Sequence, residues 1–138
     1  MNIFILDNDP KLAAQAHLDS HIVKMPIEIA QLLSTAHHLN NNYNQILYKI
    51  THKNHPCAIW TRSSQDSYNY TIEIGLSLCE EYTHRYNKIH ASSKIIEWCK
   101  NNPLSLPDIK LNPAQAMPEI YKNIDPIKAY RQYYATKT

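Results

Sequence analysis

The chain has 138 residues, 14 Lys and Arg against 12 Asp and Glu, and eight histidines, which fits one mildly basic domain that permits a polyanionic partner without demanding one. A single glycine against eight prolines argues against a β-sandwich or barrel, whose tight hairpins lean on glycine for positive φ, and points to an all-α, compact single domain over residues 1–138 with proline-punctuated loops. No apolar run approaches membrane-spanning length, and Cys57, Cys79 and Cys99, odd in number and without a CxxC pair, read as reduced apolar fillers in a cytoplasmic protein.

In chain order, Met1 to Leu6 is apolar but is followed at once by Asp7 and Asp9, with no basic segment before it, so it reads as a short strand or an extended anchor rather than a secretory leader. Asp7, Asn8 and Asp9 before Pro10 form a helix entry. Ala13 to Leu39 predicts one long helix, which Pro26 should kink or split near Val23, freeing a carbonyl beside Lys24. Asn40 to Asn44 is a polar loop, and Gln45 to Thr51 predicts a turn of helix. A second long helix is expected from Pro56 to Lys88 and a shorter one from Ser92 to Asn101. Pro103 to Pro118, with four prolines, should run extended over the surface. Asp125-Pro126 opens a last helix that ends in AYRQYYATK, residues 129–137.

The chemistry of the chain concentrates in two places. His17, His21, Lys24, Glu28 and Gln31 fall at steps of four, three, four and three and so stack along one side of a helix. Lys24, with its amine pKa lowered by a neighbouring imidazolium and by burial, would be a nucleophile for imine formation, and Glu28 one turn on would move protons or stabilise a developing cation. The plainer alternative is an i,i+4 ion pair on a solvated face. His17 and His21 also have metal-ligand spacing, with His37, His38, His55 or Glu28 as a third ligand, but the HExxH arrangement is absent and no metal or other cofactor is expected. The second place is the C-terminal helix, where Tyr130, Arg131, Tyr133, Tyr134 and Lys137 interleave aromatic and basic groups. Such a surface grips phosphates and unstacked bases, though tyrosines packing a terminal helix onto the core look the same. Arg62 and Arg85, with Lys88 and His90, supply further cations.

The run LAAQAHLDSHIVKMP, the block HPCAIWTRSSQDSYNYTIEIGLSLCEEYTHRYNK and the ending AYRQYYATK resemble, in order and spacing, the phage pyrimidine-dimer DNA glycosylases of the endonuclease V type. The resemblance implies a helical domain that clamps duplex DNA, opens the stack at a lesion and cuts the glycosidic bond: a free amine attacks the sugar carbon to give an imine, a glutamate assists, and β-elimination nicks the strand. A histidine matching His17 belongs to the family's first long helix, and AYRQYYATK matches a segment near its DNA-binding surface.

The chain departs from the family at two points. The family's amine is the α-amino group of a small residue exposed by removal of the initiator methionine, and Asn2 is a poor context for that removal. Registered on His17 and Pro26, the family's glutamate falls on Lys24. The residues therefore suggest that Lys24 supplies the amine and Glu28 the carboxylate, so that Lys24→Ala should abolish an imine adduct. The expected protein is a cytoplasmic monomer, in the host cell if phage-encoded, with a catalytic column of His17, His21, Lys24 and Glu28. Its grip on double-stranded DNA or a nucleotide would come from Arg62, Arg85, Tyr130, Arg131, Tyr134 and Lys137. Two alternatives are an enzyme on a free nucleotide or modified base and a non-catalytic DNA-binding or host-interaction protein.

Overall fold

The computed structural model describes residues 1–138 and is all-α: six helices, one short 3-10 turn and no strands. Helix α1 spans Pro10–Gln15, α2 Asp19–Leu39, α3 Pro56–Thr61, α4 Gln65–Tyr86, α5 Ser93–Asn101 and α6 Pro126–Ala135, with the 3-10 turn at Glu119–Tyr121. No helix is long and apolar enough to cross a membrane.

Helices α2 and α4 pack on each other, with α1, α3 and α5 against the pair. Their shared core holds Ile22, Ile29, Leu32 and Leu33 of α2, Tyr68, Ile74 and Leu78 of α4, and Ile95, Ile96 and Cys99 of α5. Gly75 sits where α4 comes closest to its neighbours: a Cβ there would lie 2.7 Å from Ile29 Cγ2 and 3.1 Å from Ile96 Cδ1. Most helix starts are locally encoded. Asp9 accepts from the Lys11 N–H and Asp125 from the Ile127 N–H, each followed by proline in the first turn. Asn87, in the left-handed conformation at φ 55°, ends α4.

Four expectations are corrected. Ala13 to Leu39 is two helices, not one, because the chain breaks at Ala16 to Leu18. The Leu18 N–H leaves the helix ladder to donate to the Tyr134 hydroxyl (2.9 Å), and Arg85 donates to the carbonyls of Gln15 (3.1 Å) and His17 (2.9 Å). Helix α2 runs unbroken through Pro26. Burial of Ile22, Met25 and Ile29 on either side offsets the roughly 3 kcal/mol that an internal proline costs. The Val23 carbonyl beside Lys24 does find an outside partner, His90 Nε2 at 2.8 Å. Pro56 to Lys88 is also two helices: after α3, Ser64 turns extended and its side chain accepts from the Ser67 N–H to start α4. Gln45 to Thr51 forms turns without a helix.

Met1 to Leu6 is the extended anchor rather than a strand. Ile3, Phe4, Ile5 and Leu6 are all buried, and this threads the start of the chain between the helices. Residues 103–118 carry no helix or strand, as their prolines predict.

Candidate active site

Burying Ile3 to Leu6 brings the start of the chain to α2. The Met1 α-amino nitrogen lies 3.3 Å from Glu28 Oε1, and the Asn2 N–H donates to the same oxygen at 3.2 Å. Glu28 is one of the better shielded carboxylates, its side chain only 12% exposed, whereas the Lys24 side chain is 70% exposed, with Nζ 3.8 Å from Glu28 Oε2. Two amines therefore flank one carboxylate. The terminal one belongs to a half-buried Met1 whose side chain is 3% exposed, and the lysine reaches into solvent.

These groups line a cavity of about 350 Å³ together with His21, His55, Phe4, Ala116, Tyr133 and Lys137. Both imidazoles are anchored through Nδ1. His55 caps α3, its Nδ1 accepting from the Cys57 N–H at 3.1 Å. The Tyr134 hydroxyl, which accepts from the Leu18 N–H, is hydrogen-bonded to His21 Nδ1 at 2.6 Å. The neutral His55 ring thus carries its proton on Nε2. Burial, then the cations Lys137 and Lys24, hold the His21 imidazole below its usual range. Burial, the terminal ammonium and His52 do the same at His55. Phe4 stacks on His21, with centroids 5.2 Å apart and planes 5° from parallel, and the Lys137 ammonium sits 4.7 Å from the Tyr133 ring centroid.

Of the residues singled out in the sequence, His21, Lys24, Glu28 and Lys137 meet in this cavity, and Tyr134 orients one of them. His17 lies in the α1–α2 junction, so the helical column begins at His21. It is buried between Phe4 and Tyr134, with Nδ1 donating to the Ala13 carbonyl at 2.7 Å and Nε2 without a partner. Arg85 braces that junction, bonded to Asp19 and Glu81 as well as to the two carbonyls. Tyr130 is fully buried and ties Asn2 to the Ala114 and Ala116 backbone. Arg131 donates to the Leu6 carbonyl and pairs with Asp7 on a separate groove, and Arg62 also stands outside the cavity. No three His, Cys, Asp or Glu side chains are grouped to hold a metal ion.

Phe4 is unassigned in the sequence, where His55 figures only as a third metal ligand, Tyr133 only in the aromatic-basic ending, and the terminal amine only as a family nucleophile that Lys24 replaces. A histidine directly before proline at a helix start was the signal for a His55 cap, and the apolar Met1 to Leu6 was the signal that the terminus is anchored.

Comparison with protein-family models, curated proteins and solved structures finds no match for this chain.

Proposed function

We propose that the protein is a DNA glycosylase with AP-lyase activity on damaged or modified pyrimidines, working through an imine formed by an amine beside Glu28. The observation that carries this reading is the terminal nitrogen 3.3 Å from a shielded carboxylate in a cavity lined by two imidazoles anchored through Nδ1. The nucleophile is the amine of the N-terminal segment rather than Lys24. Removal of Met1 would leave the Asn2 nitrogen as the terminal amine, already 3.2 Å from Glu28 Oε1, so the arrangement tolerates either processing state.

In this mechanism the terminal ammonium first loses a proton to Glu28. The free nitrogen bonds to C1′ of the lesion nucleotide as the glycosidic bond breaks, and the base leaves with the bonding pair and takes up the second amine proton. Glu28 returns its proton to O4′ as the sugar ring opens, which gives the iminium and leaves the Glu28 carboxylate facing its charge. Removal of a C2′ proton then expels the 3′ phosphate, and water releases the enzyme from the product. Lys24 and Lys137, which line the cavity, would meet the flanking phosphates.

The experiment is to incubate the protein with duplex DNA carrying a pyrimidine dimer or an abasic site and to score strand cleavage and a borohydride-stable adduct. Cleavage with an adduct supports the proposal, and a folded protein that yields neither on both substrates refutes it. A second reading, an enzyme on a free nucleotide or modified base, is favoured by the net charge of only +2. A duplex clamp loses affinity steeply with salt, in proportion to its phosphate contacts, while a nucleotide pocket does not.

A further inference from the structure

Directly after Ala116, a wall of the cavity, the chain between Met117 and Asp125 carries two isoleucines that stand largely in solvent: Ile120 is 83% exposed and Ile124 is 99% exposed. Single exposed apolar residues are ordinary. These two differ in sharing one short segment and in how firmly that segment is held. The Gln115 side chain grips Asn123 at two points, Nε2 donating to its carbonyl (2.6 Å) and Oε1 accepting from its N–H (2.9 Å). Asn123 in turn accepts from the Asp125 N–H (3.0 Å), which leads into the capped start of α6. The 3-10 turn is closed by the Tyr121 N–H on the Pro118 carbonyl and the Lys122 N–H on that of Glu119. Tyr121, next to Ile120, rests on Tyr133 with ring centroids 5.6 Å apart, and Tyr133 is a wall of the cavity. The backbone is thus pinned from both ends while the two apolar tips stand free, on a segment joined to the cavity wall by Ala116 and by the Tyr121–Tyr133 contact.

We propose that Ile120 and Ile124 form a wedge that enters the base stack of duplex DNA and fills the space left by the nucleotide drawn into the cavity. The proposal rests on the glycosylase reading and adds to it how the duplex is opened. Extruding a nucleotide costs stacking on both of its neighbours, and apolar side chains inserted at a base step are a general way to offset that cost. A wedge already held in shape spends little of its contact energy on ordering itself.

The test compares the wild type with the Ile120→Ser/Ile124→Ser double variant. Both residues lie on the surface, so the fold is expected to survive, as a thermal melt will show. Each protein is given the same abasic site in a fully paired duplex and in a single-stranded oligonucleotide, and trapped adduct is measured alongside fluorescence of a 2-aminopurine placed next to the site. The variant is expected to lose roughly tenfold or more in adduct formation on the duplex, the scale of a stacking cost left unmet. On the single strand it should match the wild type, and the fluorescence rise that accompanies unstacking should vanish. An Ile→Leu pair should restore all three readouts. Equal rates for variant and wild type on the duplex overturn the wedge and leave the glycosylase reading standing, and so do equal losses on both substrates. A wild type that forms no adduct on either substrate overturns the glycosylase reading and the wedge with it.

Discussion

Acidification from pH 7 to pH 5 is expected to remove about 1.8 kcal/mol of stability through His17 alone. The ring is 4% exposed, packed against Phe4 and Tyr134, and its unpartnered Nε2 has no group to share a proton with. Burial is the largest influence. The hydrogen bond to Ala13 opposes it, His21 and Arg85 add to it, and the imidazole is pushed down to about 4. In the unfolded chain it titrates near its ordinary value of about 6.5. Because the folded value is the lower one, the unfolded state binds the extra proton, and stability falls as pH drops through the window from 6.5 to 4. The whole window amounts to roughly 3 kcal/mol, of which about 1.8 kcal/mol is lost by pH 5. Urea unfolding followed by circular dichroism at pH 7, 6 and 5 measures this in the wild type and in His17→Leu. His21, His37 and His55 are also held low and contribute to both proteins, so the informative quantity is the difference in slope. The variant should lose less on acidification by about 1.8 kcal/mol, whatever its stability at pH 7. Parallel pH dependences would refute the assignment of a neutral, unpartnered imidazole at this junction.

The remaining expectations follow from single contacts. Lys24→Ala should reduce adduct yield by no more than about threefold, the scale of losing one exposed charge, while Glu28→Gln should reduce it by about a hundredfold or more with DNA affinity in gel shifts retained. Gly75→Ala should destabilise by about 1 kcal/mol in thermal or urea melts, because overpacking against Ile29 and Ile96 outweighs the gain in helix propensity. Tyr134→Phe strips the partner from the Leu18 N–H and from His21 Nδ1. A stability loss of roughly 1–3 kcal/mol is expected together with a changed pH profile for base release, which a purely structural role would not produce.

The helix class and the proline-headed starts of α1 and α6 were legible because those signals are local: an aspartate accepting from the first turn, then a residue that has no N–H to lose. The break at Ala16 to Leu18 was not. It contains neither glycine nor proline, and it exists because Tyr134 and Arg85, 116 and 68 residues away in sequence, satisfy the backbone groups the break exposes. The break at Ser64 was signalled, since a serine three residues before another polar residue is a capping pattern, but the apolar periodicity running across it obscured the stop.

Helical spacing also placed His21, Lys24 and Glu28 on one side correctly, since those steps survive within α2. It did not show that Lys24 points outward from the shared carboxylate, or that the neighbouring amine comes from the other end of an apolar anchor. Where Met1 docks is a tertiary fact, and residue spacing carries no trace of it. In the aromatic-basic ending the packing alternative holds at part of the positions. Tyr130 packs the core, and Tyr133 and Lys137 face the cavity.

The central claim, that an amine of the N-terminal segment beside Glu28 performs the chemistry, is tested most directly by locating the adduct. After borohydride trapping on abasic duplex DNA, proteolysis and mass spectrometry should find the sugar remnant on the peptide spanning Met1 to Lys11, at the α-amino nitrogen. Modification of Lys24 instead would contradict the assignment of the nucleophile, and a folded protein with no modified peptide would contradict imine chemistry altogether.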